Sequence, residues 1–439
     1  MKIANWGNYP VIEADVIGEE VASRIAKLLV KVKSLIPRGL GRCYGDSSLY
    51  YKVLSMTKLN HMLDFDEKNG VLTCEAGVSL REILDVFVPR GWFLPVTPGT
   101  KFVTVGGAIA SDVHGKNHHK EGSFCNHILS LDLLLPNGEI VSCSREKNKD
   151  LFWATCGGMG LTGVIVRATI KMKKIETAYI IKKTLKANNI DEILDLFEEY
   201  SGVTYSVAWI DCLQKGDNLG RSVLFVGEHA KIDELSSTLR KKPLEIPKKK
   251  KFTVPCFCPS FVLNEYTIKI FNAFYYNIAN KQTAIVDYDS FFYPLDSIHD
   301  WNKIYGKRGF LQYQFVIPKE ASKEGLKVIL SKIAESGFGS FLAVLKLLGK
   351  ENEGLISFPL EGYTLALDFP VCQRVFELLE ELDKIVIDYG GRIYLTKDAR
   401  MKEETFHKGY SNLEKFLTIK YKVDPENKFR SLQSQRLGV

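Results

Sequence analysis

At 439 residues, 45% of them hydrophobic, the chain is long enough for about two domains of roughly 150–200 residues each around a substantial core. Its net charge of +7 is modest for that length and comes with no basic face or recognised nucleic-acid module, which argues against a nucleic-acid partner. No apolar run approaches the roughly 20 residues that span a bilayer, and the opening MKIANWGNYPVIEADV lacks the apolar stretch of a secretory signal, so cytosolic residence is expected.

In chain order, residues 1–175 alternate β-rich runs (LLVKV, VLTCEAG, LSLDLLL, EIVSC, GVIVRATIKM) with helical stretches such as LREILDVFV, the pattern of an α+β domain. Residues 191–200, DEILDLFEEY, have helical periodicity and open a second domain, expected over 176–399. Its strands TYSVAWID, SVLFVGEH, FLQYQFVIP and YTLALDFP alternate with helical LKVILSKIAESG and FELLEELDKIVIDYG, which predicts an antiparallel sheet covered by helices on one side. Residues 400–439 return to helix. Between these elements, residues 240–251 hold seven cations in twelve positions and run directly into FTVPCFCPSFVL, a basic and apolar loop that suits an anionic membrane face or plain solvent. The nine cysteines are odd in number and without metal spacing, and the close pair Cys256 and Cys258 is CxC, so free thiols are expected.

Two segments carry the chemistry. Arg38, Gly39, Gly41, Arg42, Cys43, Tyr44 and Gly45 form a loop in which glycines alternate with arginines, an arrangement able to cradle an anion. Residues 97–127, TPGTKFVTVGGAIASDVHGKNHHKEGSFCNH, join a turn at Thr97, Pro98, Gly99 and Thr100 to the pair Gly106 and Gly107, where missing side chains let a large flat or anionic group approach the main chain. Neither matches the Rossmann spacing or the P-loop pattern. The four histidines His114, His118, His119 and His127 do not form a zinc set: an adjacent pair does not readily converge on one ion from an extended chain, and no thiol or acid completes the group. Gln312 and Gln314 share one side of a predicted strand, and Lys346 is a lone cation in an apolar run; such polar groups on apolar strands need partners.

These motifs, RGLGRCYGD, TPGT, VGGAIASDVHGKNHH, GSFCNH and LFWATCGGMGLTG, resemble the FAD domain of the vanillyl-alcohol oxidase superfamily, the PCMH-type fold. FLQYQFVIP, YPLD, residues 341–349 and YLTKDAR extend the likeness to the substrate domain of the decaprenylphosphoryl-ribose 2-oxidase family, over nearly the whole chain. The resemblance implies an α+β protein with an FAD-binding domain, a substrate domain, and a C-terminal segment packed back on the first. It implies FAD contacts from the two loops named above and from Ala110, Ser111, Gly115, Asn117, His118, His119, Gly160, Gly163, Val164, Ile165, Tyr394 and Lys397. It places Lys397 and His114 at the chemistry, and Lys116, Tyr293, Gln312, Gln314, Lys346, Thr364 and Ala366 around the substrate. Arg42 stands where covalently flavinylated relatives carry histidine, so non-covalent FAD is expected; no metal is.

The implied activity is oxidation of the 2-hydroxyl of a polyprenylphosphoryl-ribose to the 2-keto sugar, the first half of a 2-epimerisation that yields an arabinose donor. An NAD(P)H-dependent short-chain reductase would complete it, and contact with the inner membrane face would give access to the lipid. The alternative is an alditol or aldonolactone oxidase acting on a small soluble sugar; a flavin-retaining protein that binds lipid-linked sugars without turnover is a third class. Three positions depart from the family: Ala366 replaces a cysteine, so thiol-directed inhibitors should not attach there, Thr364 replaces an asparagine, and Cys43 replaces a serine.

Overall fold

A computed structural model describes every residue except Lys248, Lys250, Lys251, Ser260 and Phe261, so much of the 248–251 lysine run lies outside the described residues. One early expectation is corrected. LLVKV, read as a strand, instead ends the helix Ala22–Lys31, because Ile25 and Leu29 stand four apart and are both fully buried, a helical period. The strand that leads into the glycine-rich loop is the shorter Ile36–Arg38. It pairs in parallel with Lys52–Ser55, which pairs in parallel with Asp15–Gly18.

Beside this small parallel sheet lies a five-stranded antiparallel one, in the order Ile140–Ser144, Ile128–Leu134, Val164–Lys171, Val71–Glu75 and Met62–Asp66. The helix Leu80–Phe87 starts at a capping box in which Ser79 and Glu82 satisfy each other's free amides, and it buries Leu80, Ile83, Leu84 and Phe87. The short helix Val105–Ala110 is capped by Thr104, whose Oγ1 accepts from the Gly107 amide at 3.2 Å.

The second half is built on an eight-stranded sheet in which every neighbouring pair is antiparallel. Period-two alternation splits its strands cleanly. In Phe310–Pro318 the odd residues Leu311, Tyr313, Phe315 and Ile317 enter a core shared with the helices Lys319–Ser336 and Gln373–Asp388, while Gln312 and Gln314 face the other way. Gly362–Pro370 repeats the pattern, with Tyr363, Leu365, Leu367 and Phe369 in the core and Thr364, Ala366 and Asp368 opposite. One face is therefore covered by helices. The other is turned toward the two glycine-rich loops.

The tail closes back on the first residues. The Leu35 amide donates to Lys428 O at 3.0 Å and the Leu432 amide to Leu49 O at 2.8 Å. Arg436 bridges two buried carboxylates, Asp46 at 2.8 Å and Asp398 at 2.9 Å. Removing one partner from a buried ion cluster leaves the others uncompensated, at a cost of about 3–5 kcal/mol. Arg436→Leu is thus expected to lower unfolding free energy by about 3 kcal/mol or more, read as a drop in thermal or urea midpoint; a midpoint within error of the native protein would exclude this cluster as a lock. All nine cysteines are free thiols. Among the described residues, no helix is long and apolar enough to cross a membrane.

Candidate active site

The loops and the open face of the large sheet enclose a cavity of about 520 Å³. The first loop is shaped by its own cation. Arg38 donates to Ala4 O at 2.7 Å and to Asn5 Oδ1 at 3.1 and 3.2 Å, and the chain passes over its guanidinium at Gly41, whose φ of +64° lies in the left-handed region and leaves no room for a Cβ. The Cys43 carbonyl and Tyr44 amide are fixed by Trp6 and Thr396. Arg42 remains at the cavity, its guanidinium 4.0 Å from the Trp6 ring centroid and 5.3 Å from that of Phe102, with no carboxylate within ion-pair distance among the described residues.

The second loop is tied to the half of the chain that carries the large sheet. Thr97 Oγ1 meets the Tyr293 hydroxyl at 2.6 Å, the Lys101 amide donates to Asp296 at 2.9 Å, and Lys101 pairs with Asp289. Asp112, fully buried, accepts from Ser123, the Cys125 amide, Asn352 and Ser357, which joins this segment to the chain after the strand Ala343–Leu348.

Of the residues expected in the site, Arg38, Gly39, Gly41, Arg42, Cys43, Tyr44, Thr97, Pro98, Gly99, Thr100, Gly106, Gly107, Ala110, Ser111, Gly115, Gly160, Gly163, Ile165, Tyr394 and Lys397 all line the cavity. His114, Lys116, Gln312, Gln314, Lys346 and Ala366 line it too. Seven do not. Gly45 is a backbone crossing, where a Cβ would overlap the Asp398 carbonyl. Asn117 donates to Pro95 O at 2.7 Å, His118 accepts from the Gly349 amide at 3.1 Å, and His119 meets Val203 O at 2.9 Å, so these three side chains fasten the loop to its neighbours. Val164 is a core strand residue. Tyr293 stands behind Thr97, and Thr364 stands behind Gln314, donating to Phe315 O at 2.8 Å. Their polar groups are committed to protein partners, which is why the cavity does not reach them.

Electrostatics single out the inner wall. Burial drives the Lys397 ammonium pKa down to about 7; Asp368 pulls it back up and Lys346 pushes it further down. Its Nζ sits 3.8 Å from the Tyr44 ring centroid. The neighbouring Asp398 is not its partner, being held by Arg436. Asp368, which the sequence reading passed over, is buried and accepts from Gln312 Nε2 at 2.7 Å and from the Tyr305 hydroxyl at 3.0 Å, and burial pushes its pKa up to about 7. Its signal was available: a lone acid two residues beyond Ala366 on the polar side of an apolar strand. Lys116 and Lys346 are likewise lowered by burial, to about 7 and about 8, and Lys346 repels Lys116, Lys397 and His114. Three lysines share one low-dielectric space in which Asp368 offsets only Lys397 and no acid offsets Lys116 or Lys346, an arrangement that an entering anion would relieve.

His114 is buried, and burial holds its pKa well below the usual imidazole value, so the ring is neutral. Nε2 faces Gln314 Nε2 at 3.0 Å; as acceptor of that amide it leaves the proton on Nδ1, which has no partner among the described residues. The Tyr394 and Phe358 rings hold it at 5.3 and 5.4 Å between centroids, and Tyr394 is anchored by donating to Ser111 O at 2.8 Å.

These residues fit FAD. Gly99 faces open space in which a Cβ would meet nothing within 4 Å, and the amides of residues 39–43 donate to no group among the described residues, so main chain is presented to the cavity without side chains in the way. Comparison with known proteins decides the class. Residues 19–144 match the family model of an FAD binding domain, and residues 365–437 that of D-arabinono-1,4-lactone oxidase. Decaprenylphosphoryl-beta-D-ribose oxidase of Mycolicibacterium smegmatis is 39% identical over 100% of this chain and 97% of its own length. The chain belongs to that oxidase family.

It is an FAD-dependent oxidoreductase with the two-part α+β architecture of the PCMH-type flavoproteins. An uncharacterized protein of Streptomyces coelicolor is 30% identical over 82% of this chain and 100% of its own. A D-lactate dehydrogenase of Archaeoglobus fulgidus is 34% identical but over 27% of this chain and 28% of its own, so that likeness is partial.

Proposed function

We propose that this protein oxidises the 2-hydroxyl of a polyprenylphosphoryl-ribose to the 2-keto sugar. The observation that carries the reading is the cluster of Lys116, Lys346 and Lys397 facing one cavity with pKa values lowered by burial, which a phosphorylated sugar complements and a neutral lactone does not. Full-length similarity to an oxidase of that substrate supports it, whereas the lactone-oxidase likeness is confined to residues 365–437.

The loops at residues 38–44 and 97–100 and Gly106, Gly107, Tyr394 and Lys397 would hold FAD without a covalent bond from position 42, which is arginine. Bound FAD supplies a flat acceptor for the hydride that leaves C2 of the sugar. The protein's groups do the rest. Lys116 and Lys346 attract the phosphate, and the Gln312 and Gln314 carbonyl oxygens, left over after their amides bond Asp368 and His114, accept from sugar hydroxyls. His114 Nδ1 donates to the sugar oxygen, and the proton that the 2-hydroxyl loses as the hydride leaves C2 passes to solvent water. Lys397 places positive charge where negative charge accumulates.

The product ketone needs a second enzyme to become the 2-epimer, and an NAD(P)H-dependent short-chain reductase is the class of partner we assign. Residence in the cytoplasm or on the inner face of the membrane accords with a lipid-linked substrate.

Anaerobic mixing of the yellow protein with a short-prenyl phosphoribose tests the activity. Bleaching of the flavin absorbance by that substrate and not by free alditols or lactones is expected. Bleaching by the free sugars alone would assign the protein to the alditol or lactone oxidases, and no bleaching would leave a binding role. Lys346→Met is expected to raise KM for the phosphosugar by about 10- to 100-fold, the worth of one charged hydrogen bond, with a smaller change in kcat; an unchanged KM would remove Lys346 from the phosphate.

A further inference from the structure

The helix Glu265–Ile278, EYTIKIFNAFYYNI, is inverted relative to a surface helix. It buries Ile268 and Asn272, and Asn272 Nδ2 donates to Asp211 Oδ1 at 2.8 Å, beneath the Arg221–Asp211 ion pair of 2.9 Å. That buried hydrogen bond fixes the helix's rotation about its axis. The same rotation turns Tyr266, Ile270, Phe274 and Ile278, spaced four apart, to solvent with 76%, 71%, 63% and 54% of their surface exposed, and Phe271 lies beside them. A surface helix ordinarily carries polar residues there, and a contiguous exposed apolar stripe marks an interaction surface.

Charge says which kind. The one acid of the helix, Glu265, is neutralised by Lys269 at 2.6 Å. Lys186 reaches over the Tyr276 ring at 4.1 Å with no carboxylate partner among the described residues, and Lys281 follows the helix. The sequence just before carries lysines at 248, 250 and 251 beside Lys249, which is itself paired with Asp287, and leads into exposed Phe252, Phe257 and Val262. An apolar, aromatic centre flanked by cations is the composition of a helix lying in the interface of an anionic bilayer. Position gives it a use. Tyr275 lines the cavity beside Trp209, their centroids 4.7 Å apart, and stacks at 6.0 Å on half-exposed Phe271, so one aromatic series runs from the cavity wall to the exposed stripe.

We propose that the stripe of Tyr266, Ile270, Phe274 and Ile278 docks the protein on an anionic lipid bilayer, with the cavity wall at the lipid. The proposal rests on the lipid-linked substrate above and adds the surface through which that substrate is reached. Flotation of the FAD-loaded protein with phosphatidylglycerol–phosphatidylcholine vesicles tests it apart from catalysis. The native protein is expected to rise with these vesicles, less in high salt or with phosphatidylcholine alone, and Ile270→Glu/Phe274→Glu to lose flotation by about tenfold or more while staying yellow and bleaching normally with a short-prenyl soluble substrate. A native protein that stays at the bottom of the gradient, or a double variant that floats as well as native, overturns the docking surface whatever the bleaching result. A native dimer in light scattering that the double variant dissolves, without flotation, overturns it in favour of a protein partner. Bleaching failure with flotation intact would instead strike the substrate assignment.

Discussion

Lys397→Ala is expected to leave a folded, yellow protein whose flavin is reduced by substrate about 10²- to 10³-fold more slowly, the range for removing one preorganised charge-stabilising donor from a water-poor site. Stability should not fall, and at neutral pH and below it should rise. Burial has already driven the Lys397 pKa down to about 7, so folding gains nothing from its charge, and Asp398 keeps its own partner in Arg436. The measurement is anaerobic stopped-flow reduction followed by flavin absorbance, with denaturation midpoints in parallel. Lys397→Arg separates charge from shape: a guanidinium stays charged at every accessible pH, so this variant should recover part of the rate and lose the pH dependence described next. A rate within threefold of native for Lys397→Ala would remove the residue from the chemistry.

Asp368→Asn should move that pH dependence. With its pKa at about 7, Lys397 is mainly ammonium below neutrality and mainly amine above, so a reaction that needs the cation holds its rate at low pH and loses it as pH rises through about 7. Asp368 is the acid that pulls the Lys397 pKa upward. The asparagine keeps the size and can still meet Gln312 and Tyr305, yet its carboxylate charge is gone. The fall in rate should then begin at lower pH, and near pH 7.5 the variant should be slower by about an order of magnitude, a shift of about one unit in the lysine. Asp368 acts through Lys397 and Gln312 as a positioning residue. A pH profile that drops in height without moving would show that its role is only to hold Gln312.

The sign for stability differs between the two groups and gives an internal check. Lys397 is lowered on folding, so its cost to stability is fully present below about 7 and is relieved as pH rises from there toward the ordinary lysine value. Asp368 is raised on folding, so the folded state loses stability as pH rises from the ordinary aspartate range to about 7. Lys397→Ala should remove the first dependence, and Asp368→Asn the second.

Much of this was legible in the chain, because local rules carry it. Gly99, Gly106 and Gly107 mark places where backbone must stand bare, and Gln312 and Gln314 mark the polar side of a strand by period alone. The same alternation held Asp368 in view, but a single acid on a strand reads as solvent-facing until both sheet faces are covered. The run at residues 28–32 misled for the opposite reason: its apolar density suits a strand or a helix, and the burial of Ile25 with Leu29 settles which.

By itself, the sequence determined the two-part α+β organisation, the loops that present main chain to a large cofactor, and the lysines, histidine and glutamines that supply charge and hydrogen bonds. Tertiary structure decided which of them share a cavity. His118 and His119 differ from His114 only in what the next element places against them, the Gly349 amide and the Val203 carbonyl. The lowered pKa values of Lys116, Lys346 and Lys397 exist because residues more than two hundred positions apart are buried together, and desolvation and mutual repulsion are properties of that assembly, not of any motif.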